Sequence, residues 1–243
     1  MTDRTKNIIS IVCGILAAAY LVFGCVYSRK LNAGHVCQSI EVIIADSTER
    51  QFIQKAEVMS MLRVNRLYPL HNPIEQVNTD AIERLIASHP MVHDAECYIT
   101  TQDKVCIRLN QRIPLLRISS ANGNYLVDTE RRPMPIARNL PASLIKASGN
   151  IGERMACNEL YDFAKWLQQN RYWKELISNI RVNSPHDVKL QMTNTEAVVC
   201  LGPLDDYESK LDKLKTFHRN KPDSIPAYRE LDLRFTGQVI GRK

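Results

Sequence analysis

The sequence predicts an α+β protein: one N-terminal transmembrane helix, a βααββ unit, then a mixed β-sheet domain with two amphipathic helices. Three observations carry this. Ile8 to Tyr27 (IISIVCGILAAAYLVFGCVY) is an apolar run without a charge. Residues 39–110 pass through a β-branched run, two stretches with apolar residues at helical spacing, and two strictly alternating stretches. Beyond 113, short alternating runs are interrupted by two longer helical patterns.

At ~1.5 Å per residue the apolar run is long enough to cross the ~30 Å hydrocarbon layer of a bilayer as one helix. It predicts a tail over 1–7, a transmembrane helix over 8–27 and a linker over 28–38. Arg4 and Lys6 before it balance Arg29 and Lys30 after it, so charge alone does not orient it. A tail this short favours the N-terminus inside and the bulk of the chain extracytoplasmic. A cleaved signal fits less well, because Ala17-Ala18-Ala19 lies mid-run. A lipoprotein signal is opposed by Phe23, close before Cys25.

Ser39 to Ile44 reads as a strand and Phe52 to Leu62 as a helix, with Val58, Met61 and Leu62 on one side. Asn78-Thr79-Asp80 opens a second helix through Ile82, Leu85 and Ile86, which His89-Pro90 closes. Ala95, Cys97 and Ile99 alternate with polar neighbours up to a turn at Thr101-Gln102-Asp103. Val105, Ile107 and Leu109 then alternate on the way back.

In the second half, Leu115 to Ser119 and Tyr125 to Val127 flank an Asn122-Gly123-Asn124 turn. Ser148-Gly149-Asn150 reads as loop, and Glu153 to Gln169 as one amphipathic helix. Ile177 to Val182, Val188 to Met192 and Ala197 to Leu201 read as strands. A helix with Leu211 and Leu214 on its apolar side follows, and Tyr228 to Phe235 is a last strand.

The net charge of +6 comes from scattered basic residues without an aromatic-interleaved stripe, so nucleic acid is not an expected partner. A basic surface facing anionic envelope polymers or an acidic partner is the simpler reading. The seven cysteines form no CxxC pair or zinc template. Cys97 and Cys106 either face each other across the hairpin or serve as small buried apolar residues. No phosphate loop, nucleophile elbow or HExxH is present, and Pro90 separates His89 from His93 on what would be one helix face. No catalytic residue, cofactor or metal is expected.

Several segments carry a resemblance. Residues 39–112 look like a POTRA domain. His89-Pro90-Met91-Val92, the hairpin, Gln111-Arg112-Ile113-Pro114 and Tyr125-Leu126-Val127-Asp128 resemble, in order, the motifs of the bacterial cell-division FtsQ/DivIB family. Leu201-Gly202 before Lys210-Leu211 and Leu214, and the closing Asp232-Leu233-Arg234-Phe235, also resemble it. The chain departs from the family at Gln111, where glutamate is usual, and at Thr129-Glu130-Arg131, where the customary glycine is missing.

The resemblance implies a non-catalytic divisome scaffold in the cytoplasmic (inner) membrane, linking early and late division proteins and regulating septal peptidoglycan synthesis. Its second domain, 113–243, would dock small coiled-coil partners of the FtsB and FtsL type on its last strand. Partner-binding candidates are Arg234, Phe235, Gly237, Gln238, Val239 and Ile240. Strand alternation sends Arg234 and Phe235 to opposite faces, so at most one would touch the partner through its side chain. The terminal stretch over 231–240 is expected to be a free sheet edge, since only eight residues follow Phe235. The alternative is a POTRA-containing envelope transport or outer-membrane assembly factor; a single POTRA copy argues against it.

Overall fold

The computed structural model describes residues 15–23, 35–45, 52–137, 140–141, 144–193, 195–220 and 227–243. Of the apolar run, residues 15–23 are helical and exposed; the rest of the predicted span, with Cys13 and Cys25, lies outside the described residues. Among the described residues no helix is long and apolar enough to cross a membrane. The folded part divides into two compact units, the main break falling between Asn110 and Gln111, with Phe52 belonging to the second unit.

The first unit runs β1 (Ser39–Ile44), α1 (Lys55–Val64), α2 (Thr79–Ala87), β2 (Val92–Ile99) and β3 (Lys104–Gln111), with a short 3-10 turn at Ile74–Gln76. Its sheet has the order β1-β3-β2, with β1 parallel to β3. The βααββ order follows from the local signals. Asn78 Oδ1 accepts from Ala81 N at 2.9 Å and starts α2 as an N-cap, and α2 stops at Ala87, ahead of Pro90. Val58 and Leu62 from α1 and Ile82 and Ile86 from α2 bury against Val42, Ile44, Val105, Ile107 and Leu109. Cys37, expected in the linker, is fully buried in this core. Cys97 and Cys106 are free thiols, and Cys106 has Tyr98 and Glu41 as side-chain partners.

The second unit is built on β4 (Pro114–Ser120), β5 (Gly123–Asp128), β6 (Pro133–Met134), β7 (Ile145–Gly149), β8 (Ile177–Ser184), β9 (Asp187–Met192), β10 (Val198–Gly202), β11 (Glu230–Asp232) and β12 (Ile240–Arg242). They form one nine-stranded sheet ordered β12-β11-β10-β9-β8-β7-β4-β5-β6. Helices α3 (Glu153–Cys157), α4 (Glu159–Gln169) and α5 (Arg171–Leu176) connect the parallel pair β7–β8. Helix α6 (Tyr207–Asn220) connects the parallel pair β10–β11. Parallel neighbours need such crossovers, whereas the antiparallel β8–β9 pair turns directly. Leu160, Phe163, Ala164 and Leu167 of α4, Trp173 of α5, and Leu211 and Leu214 of α6 bury against Ile118, Ala147, Ile180, Leu190, Val199 and Leu231.

Four expectations change here. The single helix over 153–169 is two, because Asn158 leaves helical geometry (φ −119°, ψ −95°) and its amide binds Arg154 O at 2.7 Å. A short polar side chain competes with helix hydrogen bonding in this way. With the additional helix Arg171–Leu176, the domain holds four helices among the described residues where two were expected. Ser148 and Gly149, expected in a loop, belong to β7, the strand between β4 and β8. The strand expected over Tyr228–Phe235 is only Glu230–Asp232, and it is interior, flanked by β10 and β12.

Thr129–Arg131, where the family's glycine is missing, makes a left-handed turn all the same. Arg131 takes φ +63°, its guanidinium lies 4.4 Å over the Tyr161 ring, and it pairs with Asp162. These contacts offset the cost of a side chain in that conformation.

Candidate partner-docking site

The predicted residues gather at one end of the nine-stranded sheet, around β11, β12 and the neighbouring face of α6. Because β11 is enclosed, the sheet's outermost strand is β12, and among the described residues no strand pairs with its other side. Of the edge expected over 231–240, Leu231 and Asp232 lie in the enclosed β11, and the outermost strand begins only at Ile240 and runs to Arg242. Arg242 O accepts from Arg229 N at 2.9 Å, so the Arg242 peptide groups turn toward β11. By strand alternation those of Gly241 turn outward, into the position an added strand would occupy. A Cβ at 241 would lie 2.6 Å from the Tyr228 ring, so a larger residue there must displace that ring.

Arg234 does not hold out a free guanidinium. Its Nε donates to Asp232 Oδ1 at 2.9 Å and its Nη2 to Asp232 Oδ2 at 2.6 Å, while its backbone N–H donates to Oδ1 at 3.1 Å. Asp232 is 2% exposed, so this bidentate clamp neutralises a buried carboxylate. The arginine stem also covers Gly202, where a Cβ would lie 2.9 Å from Arg234 Cγ.

Phe235 is 46% exposed and Arg234 is exposed as well. Regular strand geometry ends at Asp232, so strand alternation does not govern where these two side chains point. Lys213 Nζ from α6 donates to Phe235 O at 3.0 Å and ties the segment to the helix. Gly237 (φ +76°) turns the chain back, Gln238 is exposed, and Val239 packs partly on the core before Ile240 enters β12. An open groove of about 600 Å³ separates Gly237, Gln238 and Val239 from Asp212, Thr216 and Phe217 of α6.

Beneath the edge lies a group that the sequence did not single out. Cys200 Sγ donates to Glu230 Oε1 at 2.7 Å, and Arg242 and Lys189 flank that carboxylate at 3.2 and 3.8 Å. Burial pushes the Cys200 thiol up to about 12, with Glu230 adding to it, which keeps it protonated and a poor nucleophile. The cross-strand pair Glu230–Arg242 would have been found from the sequence only by knowing the β11–β12 register.

The Arg234 clamp holds the Asp232 carboxyl below the usual carboxylate range. A carboxyl with a depressed folded value contributes stability above its unfolded value, and that contribution is lost as pH falls through the folded one. Arg234→Gln should therefore unfold at a higher pH than the wild type in acid titrations followed by circular dichroism. Coincident acid midpoints would count against the clamp.

A βααββ unit followed by a large mixed sheet with a bare terminal strand defines a class: POTRA-bearing proteins with a separate β domain. Sequence comparison agrees, because a POTRA-like domain model matches residues 35–110 and a model described as FtsQ/DivIB, C-terminal related, matches 113–242. The chain belongs to the FtsQ/DivIB family of bacterial cell-division proteins. Among solved structures it is similar to the major extracytoplasmic domain of the trans isomer of the cell-division protein DivIB from Geobacillus stearothermophilus. The likeness has 12% identity and a TM-score of 0.33, covering 46% of this chain and 94% of that one. No curated protein matches the chain.

Proposed function

We propose that the protein is a non-catalytic scaffold of the divisome, held in the cytoplasmic membrane by residues 8–27 with its N-terminus inside and both units extracytoplasmic. It links early and late division proteins and regulates septal peptidoglycan synthesis by docking FtsB-type and FtsL-type coiled-coil partners. The observation that carries this reading is the outermost position of β12, whose outward peptide groups accept a partner strand by β-augmentation. Phe235 supplies an apolar contact beside it, Gly237, Gln238 and Val239 line the approach, and Ile240 opens the edge strand. The anchor is supported by the exposed apolar side chains of residues 15–23, among them Leu16, Leu21 and Phe23, which favour hydrocarbon over water.

The test is site-specific photo-crosslinking in dividing cells, with the probe at Phe235, Gln238 or Ile240 and a control at Lys165 on α4. Crosslinks to a small coiled-coil division protein are expected from the first three positions and not from the control. Phe235→Ala should lower co-purification of that partner about tenfold without changing the melting temperature. No crosslink from any edge position, in cells that divide normally, would remove the docking claim. Arg234 is unsuitable for this test, because its loss strands the buried Asp232.

A further inference from the structure

The face of the nine-stranded sheet opposite the helices carries an arrangement that works against stability. In register, Arg117 of β4 stands beside Lys146 of β7, and Arg181 of β8 stands beside Lys189 of β9. Cross-strand neighbours lie on one face about 5 Å apart, where like charges repel and destabilise the sheet. Arg117, Lys146 and Arg181 are exposed, and none has a carboxylate partner among the described residues; Lys189 alone reaches one, Glu230 at 3.8 Å. Glu230 and Asp232 sit at the β11 end and are already engaged by Arg242 and Arg234. Two like-charge pairs across four adjacent strands thus leave an uncompensated positive field at the centre of the sheet.

What lies between the cations decides what they bind. Ser119, Ser148, Asn179 and Gln191 are interleaved with them, and the Asn179 amide donates to Ser148 Oγ at 2.9 Å. Val198 is the apolar contribution of the shallow recess, about 310 Å³, lined by Arg181, Lys189, Gln191, Arg229 and Glu230. A protein partner draws its affinity from aromatic and aliphatic side chains at the centre of the interface, and the recess offers only Val198. Guanidinium forks pair with carboxylate and phosphate alike, but the converging backbone N–H groups that phosphate sites add at a helix start or nest are here spent in the sheet ladder. Flat rows of guanidinium and ammonium groups, spaced by amides and hydroxyls, match a hydrated chain of sugar hydroxyls and carboxylates.

We propose that this open sheet face, centred on Arg117, Lys146 and Arg181, binds a carboxylate-bearing glycan polymer. The site is separate from the β12 edge, and the two fail independently. The probe is polygalacturonate, compared with neutral dextran, polyphosphate and polyglutamate, each immobilised and presented to the full-length chain. Retention by polygalacturonate that weakens with salt, and no retention by dextran, is expected.

Arg117→Gln/Lys146→Gln/Arg181→Gln should lose at least tenfold in affinity for polygalacturonate with an unchanged or raised melting temperature. The single variant Arg181→Gln should lose about threefold. A control triple on the helical side, Arg154→Gln/Lys165→Gln/Lys174→Gln, should bind as the wild type does. Equal losses in the two triples, or wild-type binding by the sheet-face triple, would overturn the proposal. Tighter retention by polyphosphate or polyglutamate would overturn it too, in favour of a phosphate polymer or an acidic protein.

Discussion

Asp128→Ala should unfold the second unit under conditions in which the wild-type chain remains folded. Asp128 is 1% exposed, and its Oδ2 receives Arg112 Nε at 2.7 Å. Its Oδ1 accepts from Glu130 N at 3.0 Å and Arg132 N at 2.7 Å, while its own N–H donates to Arg132 O. One carboxylate therefore neutralises the Arg112 guanidinium and closes the turn between β5 and β6. Removing one partner of a buried ion pair costs about 3–5 kcal/mol, and here it also opens the turn that the carboxylate closes. Against a domain stability of about 5–15 kcal/mol, that is enough to depopulate the folded state. Arg132→Ala should cost little, because that side chain is exposed and its contact with Asp128 is 3.8 Å long. Urea unfolding of the three chains separates the cases. An Asp128→Ala shift below about 1 kcal/mol would show that the pair does not carry the turn.

This pair also gives two motif residues a shared physical reason. Arg112 and Asp128 belong to separate motifs, sixteen positions apart, and their order was legible in the chain. Their contact was not, because it depends on where β4 and β5 place them. The same limit runs through the molecule. Strands with clean alternation, such as β2, β3 and β9, and the capped start of α2 could be read directly, since their signals lie within a few residues. β7 was hidden because Ser148-Gly149-Asn150 has turn composition, while its strand character comes from β4 and β8 on either side.

At the docking site the sequence located the segment but mistook its edge. The alternation over Leu231, Leu233 and Phe235 suggests one continuous strand, yet the Arg234–Asp232 clamp ends it and Gly237 folds the chain back to lay β12 outside it. Likewise, Arg117, Lys146, Arg181 and Lys189 each occupy ordinary polar positions of their own strands. Only the strand order brings them side by side.

Gly149→Ala should be the most damaging glycine-to-alanine change among the described residues. Gly149 ends β7 in register with Val182 of β8, at φ +114°, a conformation that L side chains rarely adopt. A Cβ there would lie 2.1 Å from Val182 O and 3.0 Å from Val182 C. Those atoms are backbone, so no rotamer change relieves the contact. Val182 O also accepts from Asn150 N at 2.7 Å, which holds the two chains at this approach. Separating β7 from β8 would open the parallel pair at the middle of the sheet and disturb the packing of Ala147 and Ile180 beneath α4. Backbone strain and overpacking together should cost about 4 kcal/mol or more, seen as loss of folded protein on expression or a fall in melting temperature of ten degrees or more. Gly152→Ala is the matched control, because a Cβ there meets no atom within 4 Å and φ is −81°. That variant should melt within about a degree of the wild type. If both alanine variants melt alike, the close approach of β7 to β8 is not what requires a glycine at 149.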